Sequence, residues 1–188
     1  MSTLPLENER YTYADYLSWD DGIRYELIEG VPYAMAGVSL SHAIVCRELG
    51  RRIGNYLDGK QCQVFSETFD LILNIDGAND TVVKPDIFVV CDRTKLEERG
   101  CVNTPDLVIE VLSPSSVSRD KIKKLRLYEK VGVPEYWIVD PINRYVDVYI
   151  LENEKYTFPK SYHETDTISI EALKDCCINL ADVFKHLL

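Results

Sequence analysis

The chain has 188 residues, a formal net charge of −10, 46% hydrophobic and 28% charged residues. That length buries enough surface to fold without disulfides or a structural metal, and the composition is that of an ordinary globular protein, with nothing to suggest disorder. The acidic balance argues against a broadly basic nucleic-acid binder, since phosphate contacts come from Lys and Arg. No apolar run approaches the roughly 20 residues of a membrane helix, and the N-terminal residues lack the basic and apolar regions of a signal peptide. The expectation is therefore a cytoplasmic protein with no membrane partner. Six cysteines follow no metal-ligand spacing, so they read as free thiols.

In chain order, Thr12-Tyr-Ala-Asp15 has the pattern of a helix start, with Thr12 as N-cap and an acid three residues later. Ile23 to Glu29 and Val31 to Met35, split by Gly30, predict a hairpin. Ser39 or Ser41 caps a helix running to about Leu57, with Ile44, Leu49, Ile53 and Leu57 at helical spacing. Gln63 to Glu67, Phe69 to Ile75 and Val82 to Val90 predict strands, the last interrupted by Lys84-Pro85-Asp86. Asp106 to Leu112 is the strongest strand. A helix follows from about Ser118 to Lys130, closed by Gly132. Glu135 to Val139 and Arg144 to Ile150 are further strands, and a less regular tail ends in a helix capped by Asn179. This order predicts one domain over 1–188, of mixed α/β class, with a central mixed sheet flanked by helices. Its core spans about 11–150, and 151–188 forms a C-terminal extension.

Glu110 interrupts the run Leu-Val-Ile-Glu-Val-Leu. A strand so apolar is covered on both faces, and a carboxylate inside it needs pairing, protonation or a metal. Alternation puts Val108, Glu110 and Leu112 on one face. Asp86 follows Pro85 and opens Ile87-Phe-Val-Val. If the two strands are neighbours, about 4.8 Å apart, Asp86 and Glu110 can reach one divalent ion. Asp106 lies about 13 Å from Glu110 along its own strand, so it reads as a strand-start residue. A lysine beside such an ion can hold an attacking water or neutralise phosphate. The following helix offers Lys121, Lys123 and Lys124; helical phase leaves Lys121 and Lys124 tied beside the apolar stripe, and snorkelling from a half-buried face is the competing reading. Trp137 lies in a buried-looking strand and reads as core. Of the basic clusters, Arg51-Arg52 and Arg119 to Lys124, only the second adjoins the acids, and it is where a nucleic-acid backbone is expected.

Pro85-Asp86, Glu110-Val-Leu-Ser-Pro-Ser115, Asp120 with Lys124 and Tyr128, and Gly132-Val-Pro-Glu-Tyr-Trp-Ile-Val-Asp-Pro141 together resemble the Uma-two family. This is a bacterial branch of the PD-(D/E)XK restriction-endonuclease-like superfamily. Tyr25-Glu-Leu-Ile-Glu-Gly30 and His42 also match, and the likeness spans about Tyr11 to Ile150. The resemblance implies a restriction-endonuclease-like fold and Mg²⁺-dependent cleavage of DNA phosphodiesters, with Mn²⁺ as an alternative ion at Asp86 and Glu110. The superfamily's usual strand lysine falls at Leu112 here. The resemblance implies that it has moved to the helix, selecting Lys124 over Lys121, with Asp120 and Tyr128 orienting it. It also implies that Glu26 completes the acidic site or positions water, against a plain pair with Arg24. His42 reads as a base or phosphate contact, against a helix-cap or surface histidine. Cutting both strands of a duplex favours a homodimer. The alternatives are a catalytically inactive binding or assembly module and a hydrolase of another phosphoester.

Overall fold

The protein, taken here as a computed structural model, is described for residues 9–74, 77–113 and 119–187, with side chains from 122 onward in the last segment. Thr12 caps α1 (Tyr13–Tyr16) through a reciprocal capping box with Asp15. Strands β1 (Tyr25–Ile28) and β2 (Val31–Ala34) pair antiparallel, joined through Glu29 and Gly30. Both turn residues have positive φ, 49° and 77°, the backbone twist that suits a two-residue hairpin loop. Ser39 caps α2 (Leu40–Leu57). Its buried stripe is Val45, Leu49, Ile53 and Leu57 with His42 and Glu48; Val45 takes the place expected of Ile44.

Then come β3 (Gln63–Ser66), β4 (Asp70–Ile72), β5 (Val82–Val83), β6 (Ile87–Val90), a 3₁₀ turn at Arg93–Lys95, β7 (Gly100–Val102) and β8 (Leu107–Val111). The expected helix after β8 begins as a π-helical turn, Arg119–Lys124, and becomes α3 (Leu125–Val131). Gly132 closes it in the left-handed conformation at φ 80°. The remaining elements are β9 (Glu135–Asp140), β10 (Tyr145–Glu152), β11 (Lys155–Tyr156), β12 (Lys160–His163), β13 (Thr167–Ser169), β14 (Cys177–Asn179) and α4 (Leu180–Phe184).

The mixed α/β class holds. The principal sheet runs β11-β10-β9-β8-β6-β3, with β12 also on β10. Its β8–β9 pair is parallel, and α3 lies on the connection between them. A second sheet, β2-β1-β5-β4-β7, carries a parallel β4–β7 pair. Alternation along β8 divides the apolar interior in two. Leu107, Ile109 and Val111 meet Val45, Leu49 and Ile53 of α2, together with Ile168, Ile178, Val183 and Phe184 from the C-terminal elements. Val108 and Leu112 meet Leu127 and Tyr128 of α3 and Leu71 and Val83 of the second sheet. Trp137 is fully buried in the first of these clusters, as expected of a core residue. The C-terminal residues expected to form an extension thus pack into the same interior as α2.

The free-thiol expectation requires correction. Cys62 and Cys91 form a disulfide, whereas Cys46, Cys101, Cys176 and Cys177 are free. The cause is strand pairing: Gln63 faces Val90 across β3–β6, which brings the residues just outside that pair opposite each other. Their separation of 29 along the chain gives no such hint.

Candidate metal and catalytic centre

The cluster is built from the middle of both sheets. Strands β6 and β8 are antiparallel neighbours with Ile87 opposite Ile109, so one step further places Asp86 opposite Glu110. Directly opposed residues share a face. Glu110 points with Val108 into the layer between β8 and α3. Asp86 precedes β6, beyond its regular pairing, and its carboxylate turns toward the sheet end. There Oδ2 accepts the Val111 amide at 2.7 Å and lies 3.2 Å from His42 Nε2.

Lys124 leaves the junction of the π turn with α3. Its Nζ lies 2.8 Å from Glu110 Oε1 and 2.8 Å from Glu26 Oε1. Glu26, Glu110 and Lys124 are 1%, 3% and 4% exposed, which rules out snorkelling for this lysine. The Tyr128 hydroxyl, one turn along α3, donates to Glu110 Oε1 at 2.8 Å. Burial, and then the Glu110 carboxylate, push that hydroxyl's pKa well above its usual value, so it stays a donor. The Lys84 amide donates to Glu26 Oε1 at 3.0 Å. Arg24 pairs with Glu67 at 3.4 Å, not with Glu26.

One cavity of about 110 Å³ is lined by Glu26, His42, Asp86, Glu110 and Lys124 together. The five residues singled out from the sequence therefore meet in one place. The cavity shares Val38, His42, Glu67 and Asp86 with a wider cavity of about 580 Å³. Asp106 lies apart: its Oδ2 accepts the Cys91 amide at 2.7 Å, as suits a residue opening a strand. Tyr128 holds Lys124's partner Glu110, where the sequence pointed to Lys124 itself. The side chains of Asp120 and Lys121, and Ser115, lie outside the described residues.

Sequence pattern gives Cys46 and Lys84 no place at the site. Cys46 Sγ stands 3.5 Å from His42 Nδ1, and the spacing of four from His42 within a helix was the available signal. Lys84 pairs with Asp70, and nothing in the sequence joins those two positions.

Two buried carboxyl groups share one amine here, and Asp86 and Glu67 line the same cavity, with Lys84 as its other lysine. That excess of negative charge in a poorly solvated space favours a cation. The oxygen donors of Asp86, Glu110 and Glu26 suit a hard divalent ion such as Mg²⁺.

Comparison with known proteins gives concordant results. The family model Uma2, described as "Putative restriction endonuclease", matches residues 13–181. The uncharacterized protein slr1290 of Synechocystis sp. is 28% identical over 162 residues, covering 85% of this chain and 84% of that one. A second Synechocystis protein, sll1609, is 26% identical over 143 residues, covering 73% and 79%. A crystal structure from Anabaena variabilis, described as a putative nuclease belonging to DUF820, superposes with a TM-score of 0.77 at 21% identity. It covers 95% of this chain and 99% of its own, and supports the fold.

Proposed function

Since this chain belongs to the Uma2 family, described as putative restriction endonucleases, we propose that it is a Mg²⁺-dependent endonuclease hydrolysing DNA phosphodiester bonds, with Mn²⁺ able to substitute. The observation that carries this reading is the convergence of Glu26, His42, Asp86, Glu110 and Lys124 on one cavity. Asp86 and Glu110 would hold the ion, which when bound lowers the pKa of water and offsets phosphate charge.

The chain's own groups do the rest. Lys124 supplies a fixed positive charge for the phosphate or the attacking water. Glu26 and Glu110 hold its amine in place. Tyr128 fixes the Glu110 carboxylate and keeps it from turning. His42, beside Asp86, would contact phosphate or move a proton. The wider cavity next to the acids gives the substrate an approach.

The net charge of −10 does not extend to every surface. Arg10, Lys123, Arg126 and Lys130, with Tyr33, line a cavity of about 330 Å³ beside α3, and Glu29 is the one acid among its described lining residues. Lys123 Nζ donates to the Tyr33 hydroxyl at 2.6 Å. Lys123 adjoins Lys124 in the chain, and a groove with this lining suits a phosphate backbone.

The Lys124 amine between Glu26 and Glu110 favours one other reading, a metal-free scaffold in which lysine replaces the ion. Calorimetric titration with Mg²⁺ and Mn²⁺, run beside plasmid cleavage on wild type, Asp86→Ala and Glu110→Ala, separates the two. Binding and cleavage in the wild type alone are the expected result. A wild type that binds neither ion would favour the scaffold; binding without DNA cleavage would point to another phosphoester.

A further inference from the structure

Cys46 takes no part in the proposed cleavage, yet it faces the same centre. His42 and Cys46 are four apart on α2 and project from one side of that helix. Cys46 Sγ lies 4.0 Å from His42 Nε2, and His42 Nε2 lies 3.2 Å from Asp86 Oδ2. Ligand atoms of the three residues all fall within 4.8 Å of one another. Around a tetrahedral ion with bonds of about 2.0–2.3 Å, neighbouring ligand atoms stand roughly 3.3–3.8 Å apart. Small side-chain shifts would close the set. The Val111 amide already orients Asp86 Oδ2, the kind of support that metal-binding carboxylates usually have. All three side chains line the 580 Å³ cavity, which leaves room for an outer ligand. Burial first, and then Asp86, Glu67 and Glu110, raise the pKa of the Cys46 thiol. The same negative surroundings attract a dication.

We propose that His42, Cys46 and Asp86 form a binding site for a borderline-soft divalent cation of the zinc type. Nitrogen and sulfur donors set it apart from the all-oxygen arrangement of Asp86 and Glu110, and they select later first-row ions over Mg²⁺. On binding, the thiol proton passes to solvent and Cys46 ligates as thiolate, while His42 ligates as neutral imidazole. Asp86 is common to both sets, so such an ion competes with Mg²⁺ for one carboxylate. That last consequence alone rests on the endonuclease reading.

Co²⁺ is the probe, because cobalt bound to thiolate absorbs by charge transfer in the near ultraviolet. Titration of metal-stripped protein should develop this band to one equivalent, and Zn²⁺ should abolish it by displacement. Cys46→Ser, close in size at a half-buried position, should remove the band while circular dichroism stays unchanged. His42→Ala should weaken binding at least tenfold. No thiolate band in the wild type, or the same band in Cys46→Ser, overturns the proposal. A band in a protein that cuts no DNA would leave this site standing and remove the endonuclease reading; cleavage without a band would do the reverse.

Discussion

Lys124 Nζ and Glu110 Oε1 stand 2.8 Å apart, the one arriving from a π-helical turn and the other from the middle of the principal sheet. The same amine lies 2.8 Å from Glu26 of the second sheet. One cation thus ties together two sheets and a helix inside a space that water scarcely enters. Removing it leaves two buried carboxyl groups without the positive charge between them. Lys124→Met should therefore lower stability by about 3–5 kcal/mol and abolish turnover. Urea unfolding measures the first and plasmid cleavage the second. Adding Glu26→Gln to Lys124→Met should recover part of the stability, as expected of residues that touch. Strict additivity of the two substitutions would contradict this account.

Tyr128→Phe keeps the ring and opens no cavity, but it deletes the hydroxyl that donates to Glu110. Hydrogen bonds to charged groups contribute about 1.5–3 kcal/mol, so a loss of that order is expected in chemical denaturation. Turnover should fall as well, since Glu110 then has one fewer anchor. A Tyr128→Phe protein with unchanged stability and unchanged turnover would show that the hydroxyl serves neither purpose.

The basic groove should register in salt dependence more than in sequence preference. Arg126→Glu and Lys130→Glu, placed in an Asp86→Ala background that cannot cut, should weaken duplex binding measured by fluorescence anisotropy. The slope of log affinity against log salt should become shallower by about 1 for each phosphate that is no longer neutralised. An unaltered slope would mean that the nucleic acid runs elsewhere.

Glu135 gives a pH signature away from the site. It is buried, accepting from Trp137 Nε1 at 2.7 Å and from the Ala172 amide at 2.9 Å. Burial raises its pKa in the folded protein, against the opposing pull of those two donors. The folded form thus holds its proton to higher pH than the unfolded chain, whose value is about 4.3. The associated stability is complete below that value and is lost as pH rises through the raised folded pKa. Glu135→Gln should remove this decline, seen as a flatter thermal midpoint from acid toward neutral pH. Parallel wild-type and variant curves would disprove it.

Much of the architecture could be read from local pattern because local chemistry decides it. Thr12, Ser39 and Asn179 cap helices, Gly132 ends one, and the apolar run around Glu110 marks the buried strand. The second sheet was only partly legible, because strands as short as Val82–Val83 and Gly100–Val102 carry no usable alternation and pair at long range. Within the site, Glu110 stood out as a carboxyl group in an apolar run, and Asp86 followed from its place before a strand. Lys124 needed the family resemblance to separate it from Lys121. Ordinary helical phase is a poor guide there, because the turn bearing both is π-helical and winds more loosely. Cys46 stayed hidden because Asp86, which stands near it, lies just before a strand 40 residues further along the chain.

The cluster also divides along the chain. Glu26, His42, Asp86 and Glu110 all precede Ser113, and Lys124 alone comes after it. Ribosomes would release the four before the amine held between Glu26 and Glu110, so on the proposed reading the half-made polypeptide would not cut. On the same reading, a protein split in that interval would yield two silent fragments whose reassociation restores cutting, a ready basis for a reporter of proximity.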